Sequence, residues 1–488
     1  MAGPPGSRQG FSARRRGAHS FPTDDRTATR LTFGLVATAT VLATVSGLAG
    51  PNKLMFVLPL AAGVALALAV LAISRFEAYV FVLLAARASL DLAKLSTETG
   101  GGALARILDP AGLLGIQFLV LAIFWLAAQH RAEVLEPPSA PARALLVFVA
   151  ACVVSLVSTR DLLASSVEVS RILTAVVMFV VLEQMMTDAG SLRRLLTAVF
   201  ASALFPLLFT AFGFLTGNPR TEGKGGFLRI LGPFNQSNTF GRYLMLITIF
   251  GAALWPHLNR VHRRWMGGIL AGSAVFLPLT YTRSAVVGTA LGLLVVGLLQ
   301  SRKLLAGLLL ACALTVALVP QFGSRFSQLA EPSTSSLQNE GNSLRWRLDY
   351  WSEVVSLARR SPVWGIGLGE TQRSTDEEKQ PHNDLLRAFV ETGVIGLAAY
   401  LISAAALMRL AYIALRRTAA VKDGPSLVRG VAVGFAGCVT AFLSVSLVAN
   451  VITNVVNLWY FLTFAAGASY VARNKEIAKS WRSATTST

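Results

Sequence analysis

Apolar stretches of membrane-spanning length alternate with short polar loops along most of the chain. About 14 of them approach the roughly 20 residues that cross ~30 Å of hydrocarbon as a helix, the last two at 427–448 and 450–471. A re-entrant segment at 143–158, or a merged pair within 266–300, would lower the number to about 12. The pattern therefore predicts an all-α polytopic membrane protein with about 12–14 transmembrane helices.

The composition agrees with a membrane protein and excludes a soluble one. Of the 488 residues, 53% are apolar and 14% are charged, whereas soluble domains average about 25% charged residues. The formal net charge is +19, but the basic residues are spread over many small loops. Such a distribution is typical of contact with anionic lipid head groups, and we expect no nucleic-acid binding.

The placement of Lys and Arg in the loops predicts the orientation in the membrane. If the tail with Arg14-Arg15-Arg16 is cytoplasmic, most other basic loop residues fall on the same side. Both termini are then cytoplasmic, and the one long loop faces the exterior. We expect a disordered basic tail (1–30), an N-terminal transmembrane bundle (31–319), a large extracytoplasmic loop (320–388), C-terminal transmembrane helices (389–471) and a basic cytoplasmic tail (472–488).

The long outer loop contains a predicted amphipathic helix between Gly341 and Arg360. A turn-rich stretch, Pro362 to Gly369, follows it, and the loop ends in Pro381-His382-Asn383-Asp384. The helix is typical of one resting at the lipid head groups, because tryptophans accompany its apolar face. The apolar residues at helical spacing are Leu344, Leu348, Trp351, Val354, Val355 and Ala358.

Three side chains expected on the outer face are candidates for binding or catalysis. His382 is the only histidine predicted there, and it is either a general base or an ordinary surface residue. Arg283 lies in a very short turn, where it either binds a lipid-linked phosphate or extends towards head groups. Arg229 precedes a Gly-Pro break after which Asn235 and Asn238 can cap the next helix. That arrangement is either an anion site or a normal helix start.

Other candidates are interpreted more simply. Arg87 and Asp91 lie four residues apart in a predicted span, so we expect a structural ion pair. Arg347 lies on the outer helix with Trp351, on what is otherwise a solvated face. The sequence contains no HExxH, no outer DxD and no His/Cys cluster, so we expect no metal site. It also lacks a nucleotide-binding GxxxxGK[ST] motif, and we expect no cofactor.

Taken together, the motifs in residues 225–400 resemble the O-antigen ligase / O-antigen polymerase superfamily of bacterial envelope glycosyltransferases. Their order along the chain and the long outer loop both match that family. The motifs are Arg229…Gly232-Pro-Phe-Asn-Gln-Ser-Asn238, Thr282-Arg-Ser-Ala285, Arg347-Leu-Asp-Tyr-Trp351, Ser361-Pro-Val-Trp-Gly-Ile-Gly-Leu-Gly369 and Pro381-His-Asn-Asp-Leu-Leu386…Glu391-Thr-Gly393.

The resemblance implies a GT-C-like helical fold in the bacterial cytoplasmic membrane, with an active site on the extracytoplasmic face. It implies metal-independent, inverting transfer of a glycan from undecaprenyl diphosphate to a hydroxyl on a glycan, lipid-glycan or protein acceptor. By matching position, Arg229 and Arg283 would bind the diphosphate and His382 would act on the acceptor hydroxyl. Arg347 and Asn383 would contribute to substrate binding.

Several other functions remain open at this point. A polymerase that joins lipid-linked repeat units, or a protein O-oligosaccharyltransferase, would carry the same motifs. A polysaccharide transporter or flippase also has many helices and charged residues within spans. A transporter predicts internal repeats and midplane polar residues in both halves, whereas the unusual polar residues here cluster at the outer rim. A structural envelope protein would leave the outer Arg and His residues unexplained.

Overall fold

The computed structural model describes residues 53–93, 110–224, 227–301, 303, 306–307, 344–375, 379–419 and 426–474. The predicted N-terminal tail, most of the C-terminal tail and the first part of the long loop lie outside these residues. The α-helices are α1 (Lys53–Ser74), α2 (Phe76–Arg87), α3 (Pro110–Arg131), α4 (Ala140–Ser155), α5 (Leu162–Met185), α6 (Ala189–Leu215), α7 (Ser237–Leu254), α8 (Arg260–Leu279), α9 (Arg283–Gln300), α10 (Leu344–Leu357), α11 (Glu370–Ser374), α12 (Asp384–Thr418), α13 (Leu427–Ser446) and α14 (Val455–Arg473).

The helices form a bundle around α14, which is buried along almost its whole length. Within the described residues, eight helices are long and apolar enough to cross a membrane, namely α3, α4, α5, α6, α9, α12, α13 and α14. Phe464 of α14 stacks on Phe250 of α7 with ring centroids 3.9 Å apart, and Phe461 stacks on Phe442 of α13 at 4.0 Å. The prediction of an all-α polytopic membrane fold is confirmed.

The N-terminal ends of α7, α9, α12 and α14 meet at one end of the bundle. The Asn454 amide before α14 donates to Thr239 Oγ1 of α7 at 2.9 Å. Thr282, just before α9, donates to the carbonyl of Ser237 at 3.3 Å. Asp384, the first residue of α12, accepts the backbone N–H of Val451 at 3.1 Å. Because helix N-termini carry a partial positive charge, this end of the bundle favours anions.

A two-stranded antiparallel hairpin, β1 (Thr221–Lys224) and β2 (Phe227–Ile230), lies between α6 and α7. The hydropathy pattern did not predict it, because its first strand, Thr-Glu-Gly-Lys, has no apolar residue. Its register pairs Glu222 with Arg229. The ring of Phe227 lies 5.1 Å from that of Tyr281 in the turn before α9. The hairpin therefore rests against the end of the bundle at which the helix N-termini meet.

The turn-rich stretch from Pro362 to Gly369 is inserted into a break in α12. The N–H of Ile366 donates to Val390 O at 3.1 Å, and the N–H of Val394 donates to Pro362 O at 3.0 Å. Gly393 breaks the helix with φ 70°, and a Cβ there would overlap the backbone of Val363. The long loop is thus anchored to the helix that follows His382.

The predicted amphipathic helix is present as α10, but only part of its expected apolar face is buried. Tyr350, Val354 and Leu357 pack against the turn-rich stretch and α12. Leu348 and Val355 are 54% and 47% exposed, which leaves an apolar side on the surface. Two other boundaries differ from the prediction, since α12 begins at Asp384 rather than 389 and α14 begins at Val455 rather than 450.

Candidate active site

Arg229 is held inside the protein by the hairpin. The residue is only 4% exposed, and its Nε atom is buried with no hydrogen-bond partner among the described residues. It interacts electrostatically with Glu222 on the paired strand. Burial lowers the pKa of Arg229, and Glu222 partly offsets that effect. The guanidinium is thus a buried cation without an ion pair within the described part of the chain.

The start of α7 is capped by a strand residue and not by a local asparagine. Glu222 accepts hydrogen bonds from the backbone N–H of Ser237, at 3.2 Å, and from its hydroxyl. The expected capping by Asn235 or Asn238 is wrong, because the N-cap residue is Gln236 and its side chain makes no capping bond. Asn238 instead accepts a hydrogen bond from Thr282 at 3.3 Å, which ties α7 to the turn before α9.

Arg283 is the first residue of α9 and lies half-buried close to two other arginines. It interacts electrostatically with Arg347 and Arg229. The preceding turn is tight, since Tyr281 has φ 48°, a left-handed conformation that is uncommon for a residue other than glycine. The structure therefore brings together three arginines that are far apart in the sequence.

Arg347 joins helix α10 to the loop between α13 and α14. Its Nη1 donates to the carbonyl of Val448 at 3.2 Å, and its Nε is buried without a hydrogen-bond partner among the described residues. Burial lowers the pKa of Arg347. Arg347 is thus partly enclosed, and it interacts electrostatically with Arg283.

His382 lies immediately before α12 with φ 53°, again in the left-handed region. Its Nδ1 is 3.4 Å from the side-chain amide nitrogen of Asn450. Trp351 Nε1 donates to the carbonyl of Pro381 at 2.6 Å, which fixes the preceding residue. The neighbouring Asn383 caps α12, because its Oδ1 accepts the N–H of Leu386 at 3.0 Å.

The loop 447–454 between α13 and α14 connects most of these residues. Both carboxylate oxygens of Asp384 accept N–H bonds from Val451 and Ile452, at 3.1 to 3.4 Å. Arg242 Nη1 of α7 donates to the carbonyl of Asn450 at 3.4 Å. Sequence reasoning missed this loop because its apolar residues were included in the ends of two adjacent predicted spans, 427–448 and 450–471. The only signal was the polar group Asn450, Thr453 and Asn454.

Arg242 is a second buried cation without an ion pair in the described part of the chain. It is 7% exposed, and its Nε has no hydrogen-bond partner there. Its electrostatic neighbours are Asp384 and Arg347. Together, Arg229, Arg283, Arg347 and Arg242 form a linked group of positive charge, which we term the arginine cluster. Its composition suits a phosphate or diphosphate, which guanidinium groups bind with paired hydrogen bonds.

A buried ion network supports the start of α12. Arg387, only 1% exposed, donates from Nε to Glu391 Oε2 at 2.8 Å and from Nη1 to Thr453 at 2.6 Å. Glu391 Oε2 also accepts the N–H of Gly369 at 2.7 Å. Glu168 of α5 lies 3.8 Å from Arg387. This network joins the turn-rich stretch, α12 and the loop 447–454 behind His382.

A second network fixes α11 to the N-terminal end of α5. Glu370 accepts hydrogen bonds from Thr159 Oγ1 at 2.6 Å, Arg373 Nη2 at 2.9 Å and the N–H of Asp161 at 3.1 Å. Burial alone raises the pKa of Glu370, but the hydrogen bonds from Arg373, Thr159 and Asp161 outweigh it. The net effect is a lowered pKa, so the carboxylate is ionised and stabilises this contact.

Arg87 and Asp91 lie apart from these networks. Arg87 Nη1 is 3.4 Å from Asp91 Oδ1, and both residues are buried. The Arg87 guanidinium lies 6.0 Å from the Trp459 ring of α14, and Asp91 interacts electrostatically with Arg220. Within the described residues, no group of three or more His, Cys, Asp or Glu side chains could hold a metal ion.

Residues 267–401 match a family model, Wzy_C, described as O-antigen ligase. The matched range contains Arg283, Arg347 and His382, whereas Arg229 precedes it. A search of curated proteins gave no match. The resemblance inferred from the motifs is thereby confirmed at the level of the family. The chain is a multi-pass membrane protein that carries an O-antigen ligase domain of the Wzy_C family at residues 267–401.

Proposed function

We propose that this protein is a glycosyltransferase that moves a glycan from undecaprenyl diphosphate to an acceptor hydroxyl at the outer face of the cytoplasmic membrane, without a metal ion. The observation that carries the proposal is Arg229, a buried cation with an unpartnered Nε that is electrostatically linked to Arg283. A buried unpaired charge is costly unless a ligand of opposite charge occupies the site. The family match supports a ligase or polymerase type of glycan transfer.

In the proposed mechanism, Arg229 and Arg283 hold the diphosphate. As the bond between the anomeric carbon and the phosphate oxygen breaks, negative charge grows on the leaving diphosphate. Preorganised cationic donors stabilise that charge, and the loss of one such donor typically costs about 10²–10³-fold in rate. The converging helix N-termini add to the positive potential at the same end of the bundle.

His382 would accept the proton of the acceptor hydroxyl. At the same time, the hydroxyl oxygen would bond to the anomeric carbon on the face opposite the leaving diphosphate. This attack inverts the anomeric configuration and releases undecaprenyl diphosphate. A positioned base contributes about 10²–10⁴-fold. Asn383 would reach substrate only through its amide nitrogen, since its oxygen caps α12. Arg87 and Asp91 would serve as a structural ion pair that holds α2 against α14.

The test is transfer of a glycan from a purified undecaprenyl-diphosphate donor by the purified protein in EDTA. Three bacterial acceptors are tested in separate reactions, namely lipid-linked repeat units, lipid-core oligosaccharide and protein. His382→Ala and Arg283→Ala should each abolish transfer, and His262→Ala and Arg263→Ala in an exposed part of α8 are the matched controls. Full activity of either site variant, or loss of activity in EDTA, would contradict the mechanism. The acceptor that is used separates ligase, polymerase and protein glycosylation.

A further inference from the structure

The arginine cluster contains more buried positive charge than a lipid-linked donor needs. A diphosphate diester carries two negative charges, which Arg229 and Arg283 would match under the proposed function. Arg242 and Arg347 remain, each with a buried Nε that has no hydrogen-bond partner among the described residues. An unsatisfied buried donor on a cationic group is costly, so two of them on neighbouring arginines call for a second anion.

These two arginines lie on the histidine side of the cluster. Arg242 binds the carbonyl of Asn450 at 3.4 Å, and the amide of the same asparagine lies 3.4 Å from His382 Nδ1. Arg347 binds the carbonyl of Val448, two residues earlier in the same loop. Under the proposed function, the acceptor hydroxyl must also lie next to His382, because that residue takes its proton.

The protein supplies little direct compensation for this second pair of charges. Asp384 is the acidic neighbour of Arg242 and partly offsets its charge. Both of its carboxylate oxygens accept N–H groups of Val451 and Ile452, however, and within the described residues neither makes an ion pair with Arg242. Arg242 and Arg347 repel each other electrostatically. The pair is therefore a preformed cationic subsite within the part of the chain that the structure describes.

We infer that Arg242 and Arg347 form an acceptor subsite that binds an anionic group, a phosphate or a carboxylate, on the sugar whose hydroxyl is presented to His382. This inference rests on the proposed function, because it assigns the donor diphosphate to Arg229 and Arg283. It gives the acceptor a chemical class, an acidic or phosphorylated glycan. The bidentate geometry of guanidinium suits either anion.

The experiment compares binding of separate probes to the full-length protein in lipid nanodiscs with EDTA. Glucose 6-phosphate, glucuronate and glucose probe the acceptor subsite by saturation-transfer NMR, and undecaprenyl diphosphate probes the donor subsite. Arg242→Gln and Arg347→Gln should weaken one or both charged sugars ~10- to 100-fold and change undecaprenyl diphosphate binding less than about twofold. Arg229→Gln should weaken binding of undecaprenyl diphosphate and leave binding of the charged sugars nearly unchanged. Arg416→Gln, at the far end of α12, should change neither binding.

Arg347→Gln keeps the test decisive if the Arg242 variant does not fold, because Arg347 lies on the peripheral helix α10. Charged sugars that bind the wild type no better than glucose would overturn the inference. Arg242 and Arg347 variants that lose undecaprenyl diphosphate as strongly as sugar phosphate would also overturn it, by assigning these arginines to the donor. Undecaprenyl diphosphate that binds wild type and Arg229→Gln equally would instead contradict the proposed function.

Discussion

The side-chain amide of Asn450 lies 3.4 Å from Nδ1 of His382, although 67 residues separate the two in the sequence. The loop that carries Asn450 is fixed in turn by Asp384, two residues after the histidine. The segment 382–384 and the loop 447–454 therefore position each other. We interpret this mutual support as the reason why His382 can hold a left-handed backbone conformation, which costs about 1–3 kcal/mol.

Replacing Asp384 with Asn should disturb this arrangement. The variant retains one carbonyl oxygen for the loop N–H groups but loses the charge that binds both of them. We expect a fall in transfer rate of about tenfold, with undecaprenyl diphosphate binding nearly unchanged. A rate assay and an equilibrium binding assay on the same preparation measure the two effects. An equal loss in both would indicate a general structural defect.

Arg229→Met should raise the melting temperature of the ligand-free protein while it abolishes transfer. The substitution removes a buried charge that has no ion pair among the described residues, and methionine fills similar space. Arg387→Met is the contrasting variant, because it leaves the fully buried Glu391 without its cation, whereas Glu168 keeps its ion pair with Arg171. That loss should cost about 3–5 kcal/mol. Thermal unfolding in detergent measures both variants, and a lowered melting temperature for Arg229→Met would contradict the assignment of Arg229 as an unpaired cation.

Gly393→Ala should be strongly destabilising. The new Cβ would overlap the backbone of Val363 and impose a side chain at φ 70°, so we expect a cost of about 1–3 kcal/mol or more. Gly268→Ala in α8 is the control, since open space surrounds that position and alanine favours a helix by about 0.5–1 kcal/mol. Unfolding by heat compares the two, and equal stability would argue against insertion of the turn-rich stretch into α12.

The contact made by Glu370 should depend on pH. Its pKa in the folded protein is lowered from the ordinary value of 4.5, so its contribution to stability is fully present above that value. The contribution is lost as the pH falls through the lowered pKa of the folded protein. The difference in melting temperature between wild type and Glu370→Gln should therefore be larger at pH 7 than at pH 4. A difference that grows on acidification would be inconsistent with a lowered pKa.

The sequence singled out residues that the structure brings together, but it did not predict the contacts that hold them. The sequence identifies three candidates because charged and titratable side chains are few in an apolar chain, namely His382, Arg283 and Arg347. The loop 447–454 was missed because Val448, Val451 and Ile452 raise its hydropathy to that of a span. The expected asparagine caps of α7 were wrong because a distant strand residue, Glu222, supplies the acceptor. Local rules do not anticipate such long-range partners.

The buried network behind His382 illustrates the same limit. Arg387 and Glu391 are four residues apart, so the sequence alone predicts an ion pair on one helical face. Their contacts with Thr453, Glu168 and Gly369 depend on the packing of α5, α12 and the turn-rich stretch. Elsewhere in the bundle, hydrogen bonds join segments that are up to 376 positions apart, as in the bond from the Tyr460 hydroxyl to the carbonyl of Leu84 at 2.7 Å.

Under the proposed function, buried arginines, and not a divalent cation, hold the diphosphate of the donor. The most direct measurement is equilibrium binding of undecaprenyl diphosphate to the purified protein in EDTA, with Arg229→Gln and the exposed-site control Arg263→Gln. We predict binding to the wild type and the control, and a loss of ~10-fold or more in Arg229→Gln. Equal affinity of all three proteins, or binding that requires a divalent cation, would contradict the assignment of the diphosphate to these arginines.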